Sequence, residues 1–207
     1  MSGQRRPSSA ARTLRTATTH LEEALEALRD GKMIVLSGDR LRGGDIDLMV
    51  AAQFATAEHI AFMATRGRGL ICLTLTPERA LRLNVALINP GRERQTGRPF
   101  GRSIEAREGV TTGISALDRA HTIAVAIADG ATGDDLVSPG HVFPLIALAG
   151  GVAERPSAVE GSIELCRRAE VTDAAVICSI LRDDGEMARL SDVADFGLPI
   201  ADIAHLL

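Results

Sequence analysis

The chain has 207 residues, 45% hydrophobic and 24% charged, with a formal net charge of -4. That composition suits one globular domain with a single large core and excludes a general attraction to nucleic acid. Aromatic residues make up 2%, with no Trp or Tyr, which excludes base-stacking platforms.

No apolar run approaches the length of a membrane span. Cys72, Cys166 and Cys178 are far apart and form no CxxC pair. A zinc site or disulfide framework is therefore not expected, and a reducing cytoplasm is. The N-terminus carries Arg5, Arg6, Arg12 and Arg15 without an apolar h-region. Residues 1–18 read as a disordered, solvated arm and 19–207 as the folded domain.

In chain order, Leu21, Ala24, Leu25 and Leu28 predict an amphipathic helix from Thr19 to Arg29, stopped at Gly31. Met33 to Leu36 predicts a buried strand ending in a turn at Ser37-Gly38-Asp39, followed by a charged loop from Arg40 to Asp47. Thr56 caps a helix to Thr65, with Ile60 and Met63 inward. Arg66-Gly67-Arg68-Gly69 reads as a tight basic loop before the strand Leu70–Leu73. It is either a phosphate cradle or a solvated turn. Thr76 and Pro77 open the next helix.

Asn89 to Arg98 is a polar loop, Ser103 to Ala106 a weak strand, and Asp118 to Ala128 a helix. Ala158 to Ala169 predicts a helix, Ala174 to Leu181 a strand, and Met187 to Leu190 another strand. The tail from Ser191 is helix-like with a break at Gly197-Leu198-Pro199. There is no repeat, P-loop or GxGxxG, and the pattern implies one layered α+β domain.

Two stretches carry chemistry. In Pro139-Gly140-His141-Val142-Phe143-Pro144-Leu145 a histidine is fixed behind a glycine and between two prolines. It is either a satisfied histidine in a turn or an acid/base group. Gly109 to Arg119 sets Thr111, Thr112, Ser115 and Asp118 among small residues. That run is too polar for a core strand and too apolar for a linker.

These stretches, with Arg68 to Cys72, Leu73 to Arg79 and Asp183-Asp184-Gly185-Glu186-Met187-Ala188-Arg189, resemble 3,4-dihydroxy-2-butanone 4-phosphate synthase of riboflavin biosynthesis. The resemblance runs in order from about Thr19 onward. It implies a single-domain layered α/β fold and a homodimer with shared active sites. The reaction it implies converts ribulose 5-phosphate to the four-carbon phosphate and formate, with magnesium.

By the same resemblance His141 is the essential histidine, Cys72 lines the pocket, and Asp47 closes an acidic loop that contains Arg42. Thr111, Thr112, Ser115, Asp118 and Arg119 match the polar stretch, and Arg155 matches a phosphate-contacting segment. Glu160 and Ser179 complete the expected substrate site.

Three family residues are replaced. The metal-binding glutamate of the acidic loop falls on Gly43 without gaps, or on Leu41 if Asp39-Arg40 is aligned. The metal-binding histidine is Ala158, beside Val159, and the glutamate that follows Val-Ile-Cys is Ser179. A hard cation needs oxygen ligands, and loss of a general base costs about two to four orders of magnitude in rate. The sequence therefore implies no metal cofactor and an absent or impaired family reaction. One reading is metal-independent chemistry on another small, less polar substrate, with His141 as acid/base. A second is a non-catalytic binding or partner subunit of an active paralogue. A third is a working enzyme whose metal is relocated to Asp45, Asp47 and Glu160.

Overall fold

The computed structural model describes residues 20–91 and 99–207. The N-terminal arm and most of the Asn89–Arg98 loop lie outside them. Helix α1 (20–29) buries Ala24, Leu25, Ala27 and Leu28 and ends at Gly31, whose φ of 73° suits a residue without a Cβ. The chain then enters β1 (Ile34–Asp39), turns through a 3-10 segment at Arg40–Arg42, and returns as β2 (Asp45–Ala51).

The expected turn at 37–39 and loop to Asp47 are thus shorter than the sequence suggested. Ladder pairing of Leu36 with Asp47 and Asp39 with Asp45 carries β1 and β2 into the polar region. Thr56 caps α2 (Ala57–Phe62), which widens into a π-helical turn at Met63–Gly67 before β3 (Arg68–Leu75). The basic loop is therefore part helix and part strand. Thr76 and Pro77 open α3 (Pro77–Arg82), as expected.

Next come β4 (Ile104–Ala106), α4 (Ala116–Ile127) capped by Ser115, and β5 (Leu136–Ile146). The helix pair α5 (Gly151–Glu154) and α6 (Ala158–Arg168) leads to β6 (Ala175–Ile180). Met187 makes only an isolated bridge to Leu181 instead of the expected strand, and a 3-10 segment spans Leu190–Phe196. A short β7 (Ile200–Asp202) follows Pro199 and pairs parallel with β1, where the sequence suggested helix.

The seven strands form one mixed sheet in the order β4-β5-β3-β6-β2-β1-β7. Alternation along the strands feeds two cores. Leu48, Val50, Ile71, Leu73, Val176 and Cys178 face α2, α3 and α4. Leu36, Met49, Cys72, Leu145 and Ile177 face α1 and α6. The result is a three-layer α/β/α sandwich in a single domain.

The histidine stretch lies within β5 and is not a turn. Neighbouring residues Ile104 and Glu105 of β4 pair with Val142 and Val137. Residues 138–141 therefore bulge out of this ladder, which re-aims His141. Gly140 is required there, since a Cβ would lie 2.1 Å from the Ile104 carbonyl oxygen.

Candidate active site

The β1–β2 turn builds the first polar group. Asp39, nearly inaccessible, accepts from the Leu41 amide at 3.0 Å through Oδ1 and from the Ala158 amide at 3.0 Å through Oδ2. One carboxylate thus ties the acidic turn to the N-terminus of α6, a favourable place for a negative charge. Burial nevertheless pushes the Asp39 carboxyl above its ordinary range, against the lowering effect of the Ala158 amide and the Arg42 charge.

Arg42 reaches Asp45 at 2.6 Å and Asp47 at 3.6 Å, and its Nη2 donates to the Ser179 hydroxyl at 3.5 Å. Ser179 in turn donates to Asp47 at 2.8 Å, matching their pairing across β2 and β6. Arg42, Asp47 and Ser179, inferred separately from sequence, are therefore one cluster.

The second group surrounds β5. His141 Nδ1 lies 3.0 Å from Glu105 Oε2, with the imidazole partly exposed and the carboxylate mostly covered. Gly113 packs on that carboxylate: a Cβ there would sit 1.5 Å from Glu105 Oε1. The loop carrying Gly113 is held by Asp118, which accepts from the Thr111 amide and hydroxyl and from the Gly113 amide. The Thr111 hydroxyl, helped by the amides, holds the Asp118 carboxyl below its usual range. Ser115 caps α4 by accepting from the Asp118 amide, and Thr112 is exposed on the same loop. Thr111, Ser115 and Asp118 therefore shape the loop around His141.

Three expected residues lie elsewhere. Cys72 is fully buried in the α1/α6-side core, where its thiol donates to the Leu70 carbonyl at 3.6 Å. Arg155 and Glu160 form an ion pair that is 3% and 0% exposed at the side chains. Glu160 also accepts from the Leu148 amide and the Ser157 hydroxyl, and Arg155 donates to the Ile146 carbonyl. This pair cross-links the ends of β5 and α6.

The two polar groups share one end of the sheet. Cys72 pairs with Ile177 on β6 and Phe143 on β5, and Ser179 and His141 lie two residues beyond those partners toward the same end. Three strand spacings separate β5 from β2, about 14 Å at the usual interstrand distance. Sequence reasoning missed Glu105 and Asp39. Glu105 sits in a three-residue strand without a pattern of its own. Asp39 was read as a turn residue, although an aspartate two places before a turn amide is a capping signal.

A mixed sheet between helical layers, with a histidine–carboxylate pair and an arginine–aspartate cluster at one end, defines an α/β protein with a polar small-molecule site. The model of the family described as 3,4-dihydroxy-2-butanone 4-phosphate synthase matches residues 22–207, and the chain belongs to that family.

Over 193 residues the chain is 48% identical to the riboflavin biosynthesis protein RibBA of Aquifex aeolicus, covering 90% of this chain and 48% of that protein. Over 197 residues it is 43% identical to the 3,4-dihydroxy-2-butanone 4-phosphate synthase of Cupriavidus pinatubonensis, covering 93% and 88%. The solved two-domain RibBX of A. baumannii is similar at 43% identity and a TM-score of 0.84, covering 90% of this chain and 56% of that one. A solved synthase in complex with two magnesium ions is 34% identical, with a TM-score of 0.82 and coverage of 89% and 93%. The chain thus spans about half the length of RibBA and RibBX and most of the length of the Cupriavidus synthase and of the magnesium complex.

Proposed function

We propose that this chain is a divergent family member: the scaffold is kept, the magnesium-dependent lyase reaction is lost or severely impaired, and the pocket serves metal-independent chemistry on another small substrate. One observation carries the reading. The same Asp39 carboxylate holds the amides of residues 41 and 158, so the positions that resemblance assigns to the two metal ligands are neighbours in space. They bear a leucine and an alanine, and neither offers a donor.

The backbone favours Leu41 over Gly43 as the glutamate's counterpart. Gly43 has φ 72°, a conformation that costs a non-glycine residue about 1–2 kcal/mol. The nearby carboxylates do not supply a substitute site. Asp45 and Asp47 face the Arg42 guanidinium and Glu160 faces Arg155, which weakens the relocated-metal reading. The residues therefore do not fit a hexacoordinate magnesium ion.

In the proposed chemistry His141 moves the proton. The Arg42–Asp47–Ser179 cluster and the Thr111–Asp118 loop bind and orient substrate, with Thr112 an exposed donor. Because the two groups stand about two to three strand spacings apart in one chain, a shared site between two copies would unite them, and a homodimer is part of the proposal. Three free, buried cysteines fit the reducing cytosol that goes with it. A second reading, a non-catalytic partner of an active paralogue, is favoured by the structural engagement of Arg155, Glu160 and Cys72.

The test is formate release from ribulose 5-phosphate with magnesium, beside a thermal-shift screen of sugar phosphates and less polar carbonyl compounds. Rates at least about a hundredfold below an active relative, with stabilisation by a less polar carbonyl compound, are expected. Efficient magnesium-dependent formate release would overturn the reading. Stabilisation by no small molecule, with retention of a synthase partner in pull-downs, would favour the partner subunit.

A further inference from the structure

Glu105 carries no assigned role, and its geometry is specific. It lies on β4 beside the bulge that presents His141, with Oε2 3.0 Å and Oε1 3.4 Å from Nδ1. The side chain is 13% exposed against 41% for the imidazole. Gly113 closes over the carboxylate with φ 81°, and any side chain at 113 would collide with it. Asp118 fixes Gly113 by accepting its amide at 3.0 Å. The chain of contacts from Asp118 through Gly113 to Glu105 leaves the carboxylate little freedom, so the imidazole edge it meets is set as well.

We infer that Glu105 is the positioning residue of His141: it accepts the Nδ1 proton, and so leaves Nε2 as the basic nitrogen on the exposed part of the ring. A carboxylate can only accept, so a neutral imidazole facing it must carry its proton on Nδ1. Among the described residues Nε2 makes no hydrogen bond. The polar loop from Thr111 to Asp118 acquires a purpose beyond substrate contact, since it immobilises the carboxylate that chooses the tautomer. The inference rests on the reading of His141 as the acid/base group.

The experiment reads the His141 tautomer in the free protein by nitrogen-15 NMR of the ring, without substrate, so it is answered whatever the formate assay gives. In the wild type at a pH where the ring is neutral, Nδ1 is expected to carry the proton. Glu105→Met removes the acceptor and is expected to move the proton to Nε2. Glu105→Gln retains a carbonyl acceptor and is expected to keep it on Nδ1. Gly113→Ala displaces the carboxylate and is expected to give a mixture. A purely structural Glu105 would leave the tautomer unmoved in the Met variant. That result overturns the inference, as does a neutral wild-type ring protonated on Nε2. Should Glu105→Met fail to fold, the Gly113→Ala spectrum decides alone: an unchanged tautomer there overturns the inference.

Discussion

Asp39 Oδ2 accepts the amide of Ala158 at 3.0 Å, and this bond ties two segments 119 residues apart. Its other oxygen caps the turn at Leu41. The contact explains why the acidic turn and the first turn of α6 form a single corner of the candidate site. It also makes the chemistry of that corner a property of few side chains: Leu41, Arg42, Ala158 and Ser179.

The corner's titration is the first prediction. Asp39 binds its proton more tightly in the fold than in the unfolded chain, because burial outweighs its hydrogen bonds. Its favourable contribution is complete below the unfolded value, about 3.9, and is lost as pH rises through the folded value. Asp118 behaves oppositely. Its lowered pKa gives a contribution present above the unfolded value and lost as pH falls through the folded one. Denaturant unfolding from acid to neutral pH should show Asp39→Asn gaining stability relative to wild type as pH rises. Asp118→Asn should lose most at neutral pH and least in acid. Parallel curves for wild type and both variants would contradict this account.

The second prediction concerns the ion pair that sequence reasoning assigned to substrate. Arg155 and Glu160 are almost fully buried and satisfy several backbone groups. Removing one partner strands the other charge, so Arg155→Met should cost about 3–5 kcal/mol in equilibrium unfolding. Arg155→Met combined with Glu160→Met should cost less than the single change, because no uncompensated charge remains. A single variant with unchanged stability would instead leave Arg155 available for ligand.

What was legible in the sequence follows from locality. Helix α1 and the caps at Thr56 and Thr76 were readable because capping and 3.6-residue periodicity are local signals, whereas the cap at Ser115 was not read and the helix it opens was started at Asp118. β7 was missed because three residues make a strand only by pairing with β1. The histidine stretch read as a turn because its prolines and Gly140 signal one, whereas the register shift against β4 makes it a bulge. Among the polar residues singled out from the sequence, residue types were legible and partnerships were not. Glu105 and His141 meet across 36 positions, and nothing in either neighbourhood announces the other.

Arg42 supplies the third prediction. Its guanidinium serves Asp45, the buried Asp47 and the Ser179 hydroxyl. Arg42→Met should lower stability by about 2–3 kcal/mol, less than a fully buried pair because Arg42 keeps some exposure. Arg42→Lys should recover part of the charge but not the two-pronged contact, and so fall between. Double-mutant cycles with Asp45→Asn and Asp47→Asn would apportion the loss. Additivity in both cycles would show that the guanidinium is not what stabilises these carboxylates.

The last prediction tests the proposed loss of the metal ligands. Leu41 is 47% exposed and lies in the 3-10 turn, so a glutamate there meets no steric barrier of the kind Gly43 imposes with φ 72°. Ala158 is buried at the start of α6, close enough to the turn for Asp39 to bridge the two amides. Leu41→Glu with Ala158→His should therefore create a carboxylate and an imidazole facing one point, and divalent affinity should appear. Manganese titration followed by electron paramagnetic resonance is expected to show a stoichiometric site in the double variant and none in wild type. The added charge at 41 lies close to Asp39, which should raise the Asp39 carboxyl further and make the new affinity fall in acid. Tight manganese binding by the wild type, or its absence from a well-folded double variant, would mean that residues 41 and 158 are not the counterparts of the family's ligands.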